Sequence, residues 1–160
     1  MARIQIIDDD YWCGEAIIAF LMDVAAGARF ESKCVPEADD GRDIYIVDNE
    51  FEDGDHGVDL VRSIRRRNPE ALIVLCTATR ERVDPTTAMN AGCNALIEKG
   101  SASGRNALAS IVKRYTDVRA EVASRPSIRA ALADIKAIIA TWNQRMGQED
   151  EIDPSVRLAG

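Results

Sequence analysis

The chain has 160 residues and a net charge of −7. That length suits one domain with a short appendage, and a domain of this size buries enough surface to fold without disulfides or structural metals. An acidic chain lacks the basic surface that nucleic-acid binding requires, so no nucleic-acid partner is expected. The one basic run, residues 62–67, has the spacing of the solvated face of an amphipathic helix.

Cysteine and hydropathy patterns argue against a metal-finger protein and against a secreted or membrane protein. The four cysteines form no CxxC pair and the only histidine, His56, cannot complete a zinc site alone. The cysteines are expected to be small buried residues in a reducing cytoplasm. They are Cys13, Cys34, Cys76 and Cys93. No run of about 18 apolar residues occurs, and no basic leader with an apolar segment precedes the first strand, so membrane spanning and secretion are not expected.

Short β-type runs alternate with helical patterns over most of the chain. Strands are predicted at 3–7, 29–35, 43–47, 72–76 and 94–97, and helices near 11–26, 57–67, 82–91 and 104–123. This alternation predicts an α/β fold, a doubly wound five-stranded parallel sheet with right-handed crossovers and helices on both faces. Residues 36–41 are too few for a crossover helix, so one short turn is expected there.

Beyond residue 100 only helical periodicity remains. The helix predicted over 104–123 is followed by the sequence SRPS, which interrupts it. A second helix then carries an apolar stripe as narrow as a coiled-coil seam. The stripe consists of Ile128, Leu132, Ile135, Ile139, Trp142 and Met146. We therefore predict a first domain over 1–123, a C-terminal helical extension over 124–147, and an acidic, disordered tail over 148–160.

The apolar stripe of the extension must be buried against something. It either folds back on the first domain or its last helix, or it forms a homodimer or docks to a partner helix, and the sequence leaves both open. Trp142 is expected at the centre of the contact. One helix and a tail are too short to build a three-helix DNA reader.

A carboxylate follows an unbroken apolar run in the sequence GRDIYIVDN, residues 41–49. Such a run predicts a strand covered on both faces, which places Asp48 at its carboxyl end. Open α/β sheets bind ligands in the crevice at that edge, although Asp before Asn is also an ordinary turn signal.

Three other predicted strands end in polar residues that would meet Asp48 at the same edge. The first ends in Asp8, Asp9 and Asp10, the fourth in Thr77 and the fifth in Lys99. Clustered carboxylates need a cation, and hard oxygen ligands suit Mg²⁺. A hydroxyl and an ammonium group suit the oxygens of a phosphoryl group. The sequence therefore predicts a site where a carboxylate nucleophile accepts a phosphoryl group.

Four segments in this order resemble the receiver domain of two-component response regulators: IQIIDDD, DIYIVDNEFEDGDHGVDLVRSIR, LIVLCTATRE and AGCNALIEK. The resemblance covers residues 3–120 and implies the flavodoxin-like receiver fold, here as a stand-alone receiver with a helical extension. It implies that Asp48 is the phosphoacceptor and that Asp9 binds Mg²⁺ directly and Asp8 through water. It also implies that the main-chain carbonyl of Glu50 completes the protein's share of the coordination.

The resemblance further implies a switch and a set of partners. Thr77 would follow the phosphoryl group, Ala78 would leave space beside it, and Lys99 would pair with a phosphoryl oxygen. The phosphoryl group would come from a histidine kinase or a histidine phosphotransferase, and the product would act on a downstream protein partner. No separate metabolite would be transformed. A Mg²⁺-dependent phosphohydrolase with an aspartyl-phosphate intermediate and a pseudo-receiver scaffold that is never phosphorylated remain the alternatives.

Departures from the receiver pattern concern the lifetime of the phosphoryl group and the output. The loop after Asp48 is unusually acidic, which could strengthen cation binding or repel an anionic donor, and the sequence does not decide between them. We hypothesise that Glu50 and Thr79 tune the lifetime of the phosphoryl group. Leu96 stands where receivers carry an aromatic residue and is predicted to lie at the partner interface, and Gly100 stands where proline follows the lysine.

Overall fold

Five parallel strands form a single sheet in the computed structural model, which describes residues 1–52, 54, 57–79, 82–124 and 137. The strands are β1 Arg3–Ile7, β2 Arg29–Lys33, β3 Ile44–Asp48, β4 Leu72–Thr77 and β5 Ala95–Glu98. They lie in the order β2-β1-β3-β4-β5. The predicted five-stranded parallel sheet is confirmed.

Helices cover both faces of the sheet. They are α1 Tyr11–Met22, α2 Gly57–Arg67, α3 Pro85–Ala91 and α4 Ala102–Ser124. Buried side chains of α2 and α3 pack on one face, and those of α1 and α4 pack on the other. The helices predicted on both faces are therefore confirmed.

The burial of the central strand β3 on both faces accounts for its unbroken apolar sequence. All five of its residues are buried. Tyr45 and Val47 belong to the core on the α2–α3 face, whereas Ile44 and Ile46 belong to the core on the α1–α4 face. Because successive side chains point to opposite faces of a strand, a strand covered on both sides needs apolar residues at every position.

The end of α1 and the start of α3 differ most from the predicted ones, because local backbone signals outweigh the periodicity. α1 ends at Met22 and not near 26, since the chain turns there and continues through Gly27, whose φ is +84°. α3 begins at Pro85 and not at 82, because Asp84 caps it by accepting hydrogen bonds from the backbone N–H groups of Thr86 and Thr87. Proline is favoured in the first helical turn, where its missing N–H leaves no bond unmade.

The connection between β2 and β3 is a loop held by polar contacts. Residues 34–43, all of which are described, contain no helix and make one tight turn, as expected. Asp39 organises the loop: the side chain of the fully buried Gln5 donates to its carboxylate, and its backbone N–H donates back to Gln5 Oε1, each at 2.9 Å. The Asp39 carboxylate also pairs with Lys33 and Arg42, and the Asp39 carbonyl accepts from the Tyr45 hydroxyl at 2.6 Å. These polar contacts cover the part of the sheet that contains Gln5 and Tyr45.

The four cysteines are all free, and they differ in burial. Cys76 and Cys93 are buried as predicted, and Cys13 is half-buried. Cys34 is exposed, because β2 ends one residue earlier and the chain has already left the sheet. The prediction of burial is therefore wrong for Cys34.

The chain divides into two compact units, Met1–Ala120 and Glu121–Gly160. Most of the predicted extension, including Trp142, and all of the predicted tail lie outside the described residues, so those boundaries stay predictions. No helix within the described ranges is long and apolar enough to cross a membrane.

Candidate functional site

Three carboxylates meet at the carboxyl edge of the sheet. Asp8 and Asp9 follow β1, and Asp48 is the last residue of the neighbouring strand β3. One carboxylate oxygen from each of the three residues lies within 4.8 Å of the other two. Asp8 and Asp48 are buried, with 1% and 7% of their surface exposed, and Asp9 is half-buried. The structure therefore brings the predicted acids together in one crevice.

Lys99 supplies a positive charge to this group of acids. It follows β5, and its Nζ atom lies 2.6 Å from Asp8 Oδ2 and 2.8 Å from Asp48 Oδ2. Burial alone would lower the pKa of Lys99, but hydrogen bonds with Asp48 and Asp8 outweigh burial and raise it. Burial raises the pKa of Asp48, and the hydrogen bond with Lys99 opposes that rise. Lys99 is thus the counterion of two buried acids.

Backbone N–H groups fix the orientation of each acid. Asp48 Oδ1 accepts from the N–H of Asn49 at 2.7 Å, and Asp9 Oδ2 accepts from the N–H of Glu52 at 2.8 Å. Asp8 Oδ1 accepts from the N–H of Asp10 at 3.1 Å. Because these donors belong to the loops after β1 and β3, the loop backbone and the carboxylates are positioned together.

Asp10 has a structural part in this arrangement. Its carboxylate caps α1 by accepting from the backbone N–H groups of Trp12 and Cys13, at 2.9 Å and 3.2 Å. A side-chain acceptor at this position satisfies N–H groups that have no partner within the helix. Asp10 therefore starts α1 beside the acids of the crevice.

Thr77 lies at the end of β4, next to β3, and is fully buried. Its hydroxyl donates to the carbonyl of Thr79 at 2.9 Å, so the hydroxyl is held by its own loop. Ala78 and Thr79 are exposed beside it. The parts predicted for Thr77 and Ala78 in switching and for Thr79 in tuning stay predictions.

Glu50 has an ion-pair partner that its sequence neighbourhood does not indicate. Its carboxylate pairs with the guanidinium group of Arg82, which lies just before α3. The two residues are 32 positions apart, and no periodic pattern connects them. Arg82 is thus a residue of the site that the sequence analysis missed.

Leu96 lies on β5, beside Leu75 of β4. It is half-buried and packs against the core on the α2–α3 face. Its part at a partner interface stays a prediction, and the same holds for Trp142, which lies outside the described residues.

The charges in the crevice fit a divalent cation. Lys99 balances one of the three carboxylates, so two negative charges remain on neighbouring hard oxygen ligands. Mg²⁺ prefers such ligands and usually binds through one or two carboxylates together with water and phosphate oxygens. The residues in place therefore fit Mg²⁺.

No protein-family model and no curated protein matches the sequence. Solved structures do match, and many of them are response regulators or their receiver domains. Response regulator DrrB from Thermotoga maritima, an OmpR/PhoB homologue, matches with a TM-score of 0.63 and 20% identity, over 74% of this chain and 54% of DrrB. A CheY-like receiver domain protein from Methanospirillum hungatei matches with a TM-score of 0.62 and 20% identity, over 76% of this chain and 98% of that protein.

A third match is response regulator TrrA from Thermotoga maritima in complex with Mg²⁺-BeF. Its TM-score is 0.61 and its identity 22%, over 72% of this chain and 99% of TrrA. The chain spans about half the length of DrrB and nearly the whole length of the other two proteins. These similarities show that the chain has the fold of response regulator receiver domains, as the sequence motifs predicted.

Proposed function

We propose that this chain is a phosphoacceptor receiver of a two-component or phosphorelay system. A phosphohistidine of a histidine kinase or histidine phosphotransferase would transfer its phosphoryl group to Asp48, and the product would bind a downstream protein partner with changed affinity. The observation that carries the proposal is the buried Asp48 carboxylate, 2.8 Å from Lys99 Nζ and beside two further acids. The four free cysteines accord with a cytoplasmic location for this system.

The transfer is a nucleophilic displacement at phosphorus. A carboxylate oxygen of Asp48 forms the new O–P bond while the P–N bond of phosphohistidine breaks, and the imidazole leaves with the electron pair of that bond. The ammonium group of Lys99 would stabilise one phosphoryl oxygen as negative charge develops. Mg²⁺, when bound, would supply positive charge to the remaining oxygens, and Asp9, Asp48 and the carbonyl of Glu50 would hold it directly, with Asp8 acting through water.

The output would be a shift between two conformers. In the structure the Thr77 hydroxyl donates to the Thr79 carbonyl. A phosphoryl oxygen on Asp48 would offer Thr77 a stronger, charged acceptor, so the hydroxyl would leave Thr79 and the loop after β4 would rearrange. Ala78 would leave space for this change, and α3 and the surface around Leu96 would carry it to the partner.

The contacts of Glu50 favour a receiver over a phosphohydrolase. A phosphohydrolase of this chemistry needs a second acid that can donate a proton near the nucleophile, and Glu50 has the required sequence position. Its carboxylate is instead held in an ion pair with the Arg82 guanidinium, so it is not free to serve the nucleophile. The presence of Asp9, Asp48, Thr77 and Lys99 also argues against a pseudo-receiver.

Incubation with acetyl phosphate and Mg²⁺, followed by intact mass measurement, tests the proposal. The expected result is a gain of one phosphoryl group that Asp48→Ala abolishes. Asp59→Asn is the matched control, because Asp59 is an exposed acid on α2 whose partner is Arg62, and it should keep the gain. No gain in the wild-type protein contradicts the proposal and supports the pseudo-receiver. Steady turnover of an aryl phosphate would contradict it in favour of the phosphohydrolase.

A further inference from the structure

The Glu50–Arg82 ion pair joins the loop that follows β3, the strand of Asp48, to the loop that follows the neighbouring strand β4. Glu50 lies two residues after Asp48, in the loop between β3 and α2, and Arg82 lies in the loop between β4 and α3. The Glu50 side chain is 38% exposed and that of Arg82 is 58% exposed. Ion pairs that are this exposed contribute little to the stability of a fold. The effect of the pair on the charge of the site is therefore more important than its effect on folding.

Arg82 changes the charge balance at the crevice. The three acids and Lys99 leave two uncompensated negative charges. A free Glu50 carboxylate would add another two residues after Asp48, whereas a Glu50 paired with Arg82 adds none. Charge added close to a site helps a cation to bind and hinders an anion by the same Coulomb interaction, so the two effects have opposite signs.

We propose that Arg82 is a positioning residue that neutralises Glu50, and thereby adjusts the site to accept an anionic phosphodonor at the expense of Mg²⁺ affinity. The part of the inference that concerns the phosphodonor rests on the proposed function. The part that concerns charge rests on the geometry of the ion pair. Within the acidic loop, Glu50, the acid nearest in sequence to Asp48, is thus compensated by a cation from another loop.

The neighbouring charges leave Arg82 available for this role. A cavity of about 270 Å³ is lined by Arg82 and by Arg62 of α2. Arg62 pairs with Asp59, which lines the same cavity, at 2.5 Å. Asp84, the other acid lining that cavity, caps α3 through hydrogen bonds from Thr86 and Thr87. Asp59 and Asp84 thus have their own partners, and among the described residues Arg82 contacts the carboxylate of Glu50.

Mg²⁺ titration of the unphosphorylated protein by calorimetry tests the charge effect without any phosphorylation. Arg82→Ala should tighten Mg²⁺ binding and Glu50→Gln should weaken it, each by a factor on the order of threefold to tenfold at low salt. The double variant should return to the wild-type affinity, since both charges are then absent. Arg82→Lys keeps the charge and should resemble the wild-type protein. Arg62→Ala removes an arginine from the same cavity and should leave the Mg²⁺ affinity unchanged.

Loading by acetyl phosphate should change in the opposite direction. At saturating Mg²⁺, Arg82→Ala should slow the gain of mass and Glu50→Gln should accelerate it, and high salt should reduce both differences. An unchanged Mg²⁺ affinity in Arg82→Ala overturns the inference, as does an affinity change that persists in the double variant. If the wild-type protein gains no phosphoryl group, the proposed function fails while the Mg²⁺ titration still decides the part played by Arg82.

Discussion

Gly57, the first residue of α2, lies directly against the main-chain carbonyl of Asp48. A Cβ atom at residue 57 would stand 1.9 Å from that oxygen, far inside any permitted contact. The Gly57 N–H also donates to the carbonyl of Asn49 at 2.8 Å. The start of α2 is therefore held against the end of the phosphoacceptor strand by a contact that only glycine permits.

Gly57→Ala is expected to destabilise the fold by about 3 kcal/mol, because the clash involves backbone on both sides and side-chain rotation cannot relieve it. Urea unfolding measures the loss, and the folded fraction should also accept less phosphoryl group from acetyl phosphate, since Asp48 must shift. Gly27→Ala is the control. Gly27 has a φ of +84°, but nothing lies within 4 Å of the position that a Cβ atom would take. Gly27→Ala should therefore lose only roughly 1–2 kcal/mol of unfolding free energy, which is the cost of a non-glycine residue in the left-handed region. Equal losses in the two variants would refute the steric explanation.

Lys99→Met removes the counterion of two buried acids. Without divalent cation the variant should lose about 3–5 kcal/mol of unfolding free energy, because Asp8 and Asp48 keep their burial and lose their partner. Mg²⁺ should then raise the melting temperature more in the variant than in the wild-type protein, since the ion no longer competes with an ammonium group. Lys113→Met removes an exposed lysine that pairs with Asp117 on α4 and should change neither quantity appreciably. A Mg²⁺ response equal to that of the wild-type protein would contradict the prediction.

Asp39 makes the stability of the β2–β3 connection dependent on pH. A hydrogen bond from Lys33, and then one from Arg42, holds the pKa of Asp39 well below its ordinary value of 3.8. A group whose pKa is lower in the folded state stabilises the fold above its unfolded pKa, and that contribution disappears as the pH falls through the folded value. Asp39→Asn should therefore be less stable than the wild-type protein at pH 7, and the difference should shrink progressively below a pH of about 4.

Urea unfolding of both proteins at several pH values measures that difference. Asp40→Asn serves as the control, because Asp40 is 79% exposed and pairs with Arg67 at 2.7 Å. Its effect should be small at every pH. A stability difference for Asp39→Asn that stays constant from pH 7 to pH 3 would show that the Asp39 contacts do not act through charge.

The acids and the lysine of the site could be predicted because sheet topology alone brings them together. Asp8 and Asp48 each follow a buried apolar run, Lys99 follows the short strand β5, and the ends of parallel strands share one edge whatever the loops do. β3 and β4 were predictable because each is apolar or aromatic at every position before its last residue. The predictable part of the site is thus the part that depends on periodicity and strand direction.

The contacts between loops could not be predicted. Glu50 and Arg82 meet because two irregular loops bend toward each other, and the residues of such loops carry no period. The Asp39 contacts have the same origin, since they form where a crossover helix is replaced by a ten-residue loop, 34–43, with its own hydrogen bonds. α1 has apolar residues on all sides, so its periodicity did not locate its end at Met22.

The spacing of the basic run on α2 predicted a solvated face, and that prediction is wrong for Arg65, which is half-buried. Arg65 donates hydrogen bonds to the carbonyls of Gly92, Pro69 and Ala71 and to the Asn94 side chain, at 2.6–2.9 Å. It thus ties the end of α2 to the turn after α3 and to the start of β4. Arg62, Arg66 and Arg67 are exposed, as predicted.

Arg65→Ala should therefore destabilise the fold by about 2–4 kcal/mol, because hydrogen bonds from a charged donor are lost and half-buried carbonyls lose their partner. Arg65→Lys should recover only part of the loss, since one ammonium group cannot reproduce the planar fork of the guanidinium group. Arg66→Ala, at the exposed neighbouring position, should stay within about 0.5 kcal/mol of the wild-type protein. Urea unfolding checks all three values. A loss for Arg65→Ala no larger than that for Arg66→Ala would mean that solvent replaces these bonds and that the run is a solvated face after all.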